Sequence, residues 1–546
     1  MSFTDPVLGE DFFDRVEIIS KLKKKIDSLN YGFRQNIALL GQLLSGKTSI
    51  LKHFLTNFED NRFLFFYLEV KGNSFTEFIT RFLSSFLSSL LSKEDEFNKI
   101  YLMDNQTLLN KFKSYLPRTS CIVNELFGSL EISNFDKAYG KLFDILETAK
   151  SELNKPLVVI LEEFQRLSDF PIKSPFEIFG KKLSLQKDIM YIISSSFVKE
   201  AKKIISEELS LLFCNFEIIE VLPFDYLTSK NFIDKRCKEI NLEACYRNFV
   251  ISITDGRPFY LNTICSKLME LSYIYGSSIS QRDLIIKTLE ELVFKSNGVL
   301  NQYLSNMFSN LESEKKFNLC FQILLHLSND SKATNLSTLM KKNEVELSKL
   351  LKVLVQKDFL SKFGIFYRFN HRLLKLWINS VYVVKESPYK NFYVDGKDFF
   401  SFRNLKILES FIHENEKNTL DRVVELFKSF NGEMIELSSQ RFILPHFDII
   451  YSSSMDEKGY KIIGNSKNKG WLFFISDDEL PEEKLTQWVF KEKGTFKDFK
   501  KRVLITLHEP EVATKLLAKQ EKILTWSIFD LNILFELYGK PQLIKI

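Results

Sequence analysis

Gly41, Gly46, Lys47 and Thr48 stand in the spacing G-x4-G-K-T, within Gly41-Gln-Leu-Leu-Ser-Gly-Lys-Thr48. Glycines so placed let the backbone curl until successive amides point inward, which makes a cradle for an anion. A helix starting directly after the cradle adds the positive end of its dipole. The lysine then reaches the outer phosphates of a nucleoside triphosphate, and the threonine hydroxyl is a magnesium ligand. The flanks agree: Ile37-Ala-Leu-Leu40 reads as a short apolar strand, and Ser49–Asn57 as a helix. The chemistry implied is binding of ATP or ADP with Mg2+, with Gly41, Ser45, Gly46, Lys47, Thr48 and Ser49 around the phosphates.

Two carboxylates belong to the same chemistry. Leu157-Val-Val-Ile-Leu161 is a buried-strand run that ends in Glu162-Glu163. Glu162 is expected to hold the magnesium through water, together with Thr48. Glu163 is expected to polarise the water that attacks the γ-phosphate, so Glu163 and Lys47 are the catalytic candidates. Aspartate is the usual residue at the first of these positions, and the glutamate here reaches one methylene further. A second apolar run, Asp188–Ser195, leads into Ser194-Ser195-Ser196. These hydroxyls either orient the attacking water or mark a strand-to-loop transition.

The elements that must position these residues follow from the apolar pattern. Strands are expected at Asn36–Gly41, Arg62–Glu69, Pro156–Glu162, Asp188–Ser195 and Phe216–Val221, with long helices at Phe75–Leu91 and Phe135–Leu153. Alternating strands and helices predict an α/β fold with a parallel sheet. The expected domains are a P-loop NTPase core at 1–222, a helical lid at 223–300, a winged helix at 301–384, a linker at 385–400 and a small α/β domain at 401–546. Apolar residues make up 45% and charged residues 27%, with 53 Phe and few Gly or Pro, the balance of a helix-rich globular protein. No apolar run is long enough to cross a bilayer and no leader pattern is present, so no membrane partner and a cytoplasmic location are expected. The six cysteines form no CxxC pair, which argues against a zinc framework.

The order of motifs resembles the archaeal-type ATPases of the AAA+/STAND branch of P-loop proteins. The residues concerned are Phe13-Asp14-Arg15-x-Glu17, the phosphate loop, Glu162-Glu-Phe-Gln165, Ser194-Ser-Ser196 and Asp255-Gly-Arg-Pro258, and the likeness extends over about residues 6–378. It implies an N-terminal segment near the adenine, with Val7, Leu8 and Arg15. It also implies a lid turn at the base or ribose, with Gly256 and Pro258. Arg257 either faces the phosphates as a second sensor or is an ordinary exposed arginine. For an arginine finger only Arg166 and Arg81 are available, and without one turnover is expected to be slow.

Residues 316–377 carry 11 Lys+Arg against 4 Asp+Glu, a local +7 in a chain whose total is +5. Three helices and a ribbon, Phe359–Phe369, are expected there. Such a bias fits a helix in the major groove of double-stranded DNA, with Lys341, Lys342, Lys349, Lys352 and Lys357 on phosphates. The alternative is a packing module with solvated lysines.

Residues 401–546 resemble the restriction-endonuclease-like fold: a helix with Glu425, strands with Asp448 and Trp471–Ser476, a helix Pro481–Lys491 and a strand Arg502–Leu507. The metal-binding acid and lysine of that fold would fall on Phe474 and Ser476, so nuclease activity is not expected, and Lys467 or Lys469 would not restore the acid. The function expected from the whole is a magnesium-dependent ATPase whose nucleotide state controls DNA or partner binding. The alternative is a slow-turnover, nucleotide-gated scaffold in signalling or defence, which recruits a protein partner or a second copy.

Overall fold

Five apolar runs become the strands β1 (Asn36–Leu40), β2 (Leu64–Glu69), β3 (Leu157–Glu162), β4 (Ile189–Ser195) and β5 (Phe216–Glu220). All four pairings are parallel, and the sheet order is β2-β3-β4-β1-β5. Parallel neighbours need crossover connections, and the helices that make them cover both faces of the sheet. On one face α1 (Val16–Leu29) and α2 (Lys47–Asn57) enclose Ile37, Leu39, Val158, Ile160 and Ile192. On the other, α3 (Phe75–Leu90) and the helix Phe135–Leu153 enclose Ala38, Leu40, Val159, Leu161 and Ile193. Burial on both sides explains why β1, β3 and β4 read as continuous apolar runs rather than alternating ones.

This architecture comes from a computed structural model. It describes residues 6–58, 60–72, 74–90, 104–209, 216–312, 317–333, 336, 343–383, 395–437, 440–466 and 470–544. The fold matches the expected α/β P-loop arrangement, with strand ends shifted by a residue or two. β2, for example, starts at Leu64 because Asp60 accepts a hydrogen bond from the Arg62 amide (3.0 Å), which makes a turn of the residues before it. Leu91, the expected end of α3, lies outside the described residues.

The chain divides into two compact units, Met1–Pro223 and Phe224–Ile546. The second unit begins with helices at Tyr226–Arg236, Ala244–Thr254, Pro258–Tyr275, Gln281–Leu289 and Val299–Glu312. Helices Phe317–Asn329 and Glu344–Gln356 follow, then a ribbon of β6 (Leu360–Phe363) and β7 (Phe366–Phe369). The expected helix between them, with Lys341 and Lys342, lies almost wholly outside the described residues, as does most of the expected linker. Lys349, Lys352 and Lys357 are exposed. The ribbon turn packs against β8 (Glu433–Leu437): the Ile365 amide donates to Met434 O at 3.2 Å. Gly364 has φ +68°, and a Cβ there would come within 2.1 Å of the same oxygen, so only glycine allows the approach.

β8 and β9 (Gln440–Leu444) form a hairpin. A second sheet follows in the order β10-β11-β12-β13-β14 (Ile449–Ser454, Gly459–Asn465, Gly470–Ser476, Phe499–Thr506, Leu524–Ser527). Its first three strands are antiparallel and its last three parallel. Asp448 was expected on a strand but is an exposed residue just before β10. Phe474 and Ser476 are fully buried in β12; the Phe474 ring stacks near Trp488, and the Ser476 hydroxyl donates to Asp478 O at 2.9 Å. Glu425 is paired with Lys417. Lys467 and Lys469 lie outside the described residues.

Candidate functional site

In a parallel sheet the carboxyl ends of all strands lie along one edge, and loops there converge. Three such ends build the site: the loop after β1, Glu162-Glu163 after β3 and Ser196 after β4. In the loop, Leu44 and Gly46 take positive φ (+66° and +95°), which curls the chain before α2 starts at Lys47. Gly41 must lack a side chain, since a Cβ would meet Val221 O at 2.5 Å and Ser45 Oγ at 2.7 Å. Lys47 is buried, and its ammonium donates to Gly41 O (2.7 Å), Gln42 O (3.3 Å) and Ser196 Oγ (3.0 Å).

The two carboxylates have different surroundings. Glu162 is buried; Thr48 Oγ1 donates to its Oε1 and the Tyr67 hydroxyl to its Oε2. Burial pushes its carboxyl above the ordinary range, against those two hydrogen bonds, which favour the anion. Burial and the Glu162 charge likewise push the Tyr67 phenol up. Glu163 sits at φ +54°, a left-handed backbone that non-glycine residues adopt at a cost and that clusters at functional positions. Its carboxylate accepts from Ser196 N (3.1 Å), Ser196 Oγ and Gln165 Nε2 (2.8 Å). Ser196 therefore joins the loop lysine to the second carboxylate.

Three further polar atoms here are buried without a hydrogen-bond partner: Ser45 Oγ, Ser194 Oγ and Gln165 Oε1. Such groups are costly to desolvate, and a site that receives a polar ligand accounts for them. Thr48 and Glu162 put one hydroxyl and one carboxylate side by side. Among the described residues no group of three His, Cys, Asp or Glu could hold a metal. That donor set suits magnesium, which commonly takes one or two protein oxygens and fills its octahedron with phosphate and water.

The N-terminal segment touches the phosphate loop and the helix after it. The Val7 amide donates to Ser49 Oγ (3.1 Å), and Leu8 is exposed beside it in sequence. Arg15, at φ +69°, donates to Ser45 O (3.3 Å) and Leu222 O (2.7 Å), tying the phosphate loop to the end of β5. Gly256 and Pro258 belong to the second unit, where Gly256 (φ +66°) lies against Phe224 O and Pro258 opens a helix.

Arg257 departs from both expectations. It is 1% exposed and donates to Asn370 O at 2.8 Å inside the second unit. The reason is its neighbourhood: the turn it sits on packs beside the segment after β7, so its guanidinium serves that junction. Arg81 donates to Lys71 O (2.6 Å) and Glu69 O (3.4 Å), and Arg166 lies 3.7 Å from Asp169. Tyr67 and Gln165 had no expected role. Tyr67 escaped notice because Phe65-Phe-Tyr67 reads as plain strand, and only β2–β3 pairing brings its hydroxyl to Glu162.

Residues 12–264 match the family model described as an ATPase domain predominantly from Archaea. The fold is that of a P-loop NTPase. Solved structures similar to this chain include the Walker-type ATPase PABY2304 of Pyrococcus abyssi (18% identity, TM-score 0.48, covering 69% of this chain and 100% of that one). The Aeropyrum pernix ORC2 protein in ADPNP–ADP complexes follows (13%, 0.45, 70% and 97%). The Thermotoga maritima RuvB Holliday junction branch migration motor is more distant (11%, 0.33, 67% and 95%). No curated protein matches this chain. Among its described residues no helix is long and apolar enough to cross a membrane.

Proposed function

We propose that this chain is a magnesium-dependent ATPase whose nucleotide state controls contact with double-stranded DNA or a partner protein. The observation that carries the reading is the Lys47–Ser196–Glu163 connection, with Thr48–Glu162 beside it. Lys47 binds the outer phosphates once its ammonium turns from Gly41 O and Ser196 Oγ. Thr48 and Glu162 hold magnesium, which when bound neutralises charge on the β and γ phosphates. Glu163 accepts the proton of the attacking water at its carboxylate, and Ser196 orients that carboxylate. Val7, Leu8 and Arg15 are assigned to the adenine by the family resemblance.

In the same reading the chain is an AAA+/STAND-type ATPase, residues 301–384 are a winged helix and residues 401–546 an inactive nuclease-like domain. Buried Phe474 and Ser476 support the last point. One observation favours the slow-turnover scaffold as a second reading: Glu163 already accepts three hydrogen bonds, which occupy most of its lone pairs and leave little room for the attacking water. The ribbon turn lying against β8 also leaves the exposed lysines of Glu344–Gln356, not the ribbon, to meet DNA.

Steady-state ATP hydrolysis by the parent and by Glu163→Gln, each with and without a DNA duplex at low salt, tests the proposal. The variant is expected to bind ATP as the parent does and to turn over about a hundredfold more slowly. Stimulation of the parent by duplex supports DNA control. Negligible parent turnover with retained ADP supports the scaffold. Hydrolysis that survives Glu163→Gln but stops in Glu162→Ala reverses the two roles.

A further inference from the structure

Tyr67 lies on β2, the edge strand of the first sheet. In the parallel register it pairs with Ile160, and Glu162 is two residues further along β3 on the same face. A diagonal neighbour at that spacing is within reach of an aromatic side chain. The phenol donates to Oε2 of Glu162 while Thr48, from α2, donates to Oε1. Each carboxylate oxygen thus has its own donor, and the two donors come from different elements. The ring is itself held: Tyr67 and Phe65 pack on the core under α2, and Lys52 Nζ lies 5.8 Å from the ring centre.

The arrangement answers a difficulty in the residue type. Glutamate has one more rotatable bond than aspartate, so its carboxylate costs more entropy to fix in one place. A donor anchored on the neighbouring strand removes that freedom. We propose that Tyr67 is a positioning residue, which holds the Glu162 carboxylate where it serves magnesium and supplies the constraint a shorter acid would have by itself. The inference rests on the reading of Glu162 as the magnesium-holding residue.

The test uses the full chain as parent, Tyr67→Phe, Glu162→Asp and the double variant. Binding of a fluorescent ADP analogue is titrated against Mg2+ and again in EDTA. Tyr67→Phe keeps the ring and removes only the hydroxyl. It should raise the Mg2+ concentration for half-maximal tightening about tenfold, the usual loss when a group that hydrogen-bonds a metal-holding residue is removed. Affinity in EDTA should not move. With aspartate at 162 the same change should shift the midpoint less than about twofold, because the two positions are coupled. An unmoved midpoint in Tyr67→Phe overturns the proposal. So does an equal loss in EDTA, or an equal shift in the aspartate background. Glu162→Ala examines the underlying reading separately: if it leaves the Mg2+ midpoint alone, Glu162 does not serve the ion, and the inference falls with that reading rather than by itself.

Discussion

Two buried groups of charged residues in this protein have opposite characters. In the second unit, Arg372 lies 3.2 Å and Arg368 3.8 Å from Asp255, and both arginines reach Glu536, at 3.1 and 2.7 Å. Arg372 also donates to Ser252 O (3.1 Å). Burial alone would raise both carboxyls, but the arginines outweigh it and hold Asp255 and Glu536 below their ordinary range. Two arginines pair directly with two carboxylates, and Arg257 and Lys375 add positive charge close by. In the first unit, burial wins at Glu162, while Ser45, Ser194 and Gln165 keep buried polar atoms without partners. Positive-φ backbone at Leu44 and Glu163 adds local strain. Charges that satisfy one another hold a fold, whereas polar groups left incomplete under strain mark a place for a ligand.

The sharpest way to break this contrast is Lys47→Ala. Removing the ammonium should weaken ATP and ADP binding about a hundredfold or more, since hydrogen bonds between charged partners are the strong ones. The thermal midpoint of the nucleotide-free protein should stay near that of the parent. A variant whose thermal midpoint falls well below the parent's while nucleotide affinity is unchanged would move Lys47 into the structural class.

Glu536→Ala probes the other group. It takes the carboxylate away from Arg368, Arg372 and Lys375, and breaking a buried pair from one side costs about 3–5 kcal/mol. Denaturant unfolding followed by hydrogen exchange of the second unit reads the loss, and ADP affinity should be unchanged. A fall in affinity with little change in stability would show that this network, too, serves the nucleotide.

The smallest expected effect is a pH dependence at His371, which is buried, within 3.1 Å of the Tyr260 hydroxyl. Burial, then the Arg257 charge, depress its pKa well below the ordinary value of 6.5. Below that value the unfolded chain takes up a proton that the folded chain refuses. Stability from this group is therefore complete above pH 6.5 and declines as the pH falls, by up to about 1.4 kcal/mol per pH unit. Asp255 and Glu536 are depressed from 3.8 and 4.5, so their contribution is lost only at lower pH. His371→Gln should flatten the unfolding midpoint of the second unit between about pH 6.5 and 5. An unchanged slope would assign the acid sensitivity elsewhere.

The phosphate loop was legible in the chain alone because everything it needs is local. Glycine spacing, a strand before and a helix after dictate a curled backbone whatever packs around it. Glu162-Glu163 were legible for a similar reason, as charges at the end of an apolar run. Strand order was not: that Ser196 would stand between Lys47 and Glu163 depends on β4 lying between β1 and β3. Nor was the hydroxyl of Tyr67, which reaches Glu162 only through the β2–β3 register. Arg257 carries no mark of burial in its own neighbourhood, and Asp255 and Glu536 meet across a long stretch of chain. Local dihedral preference and residue spacing wrote the motif. Register and long-range packing, which no short window of residues contains, decided which charges would be closed and which left open.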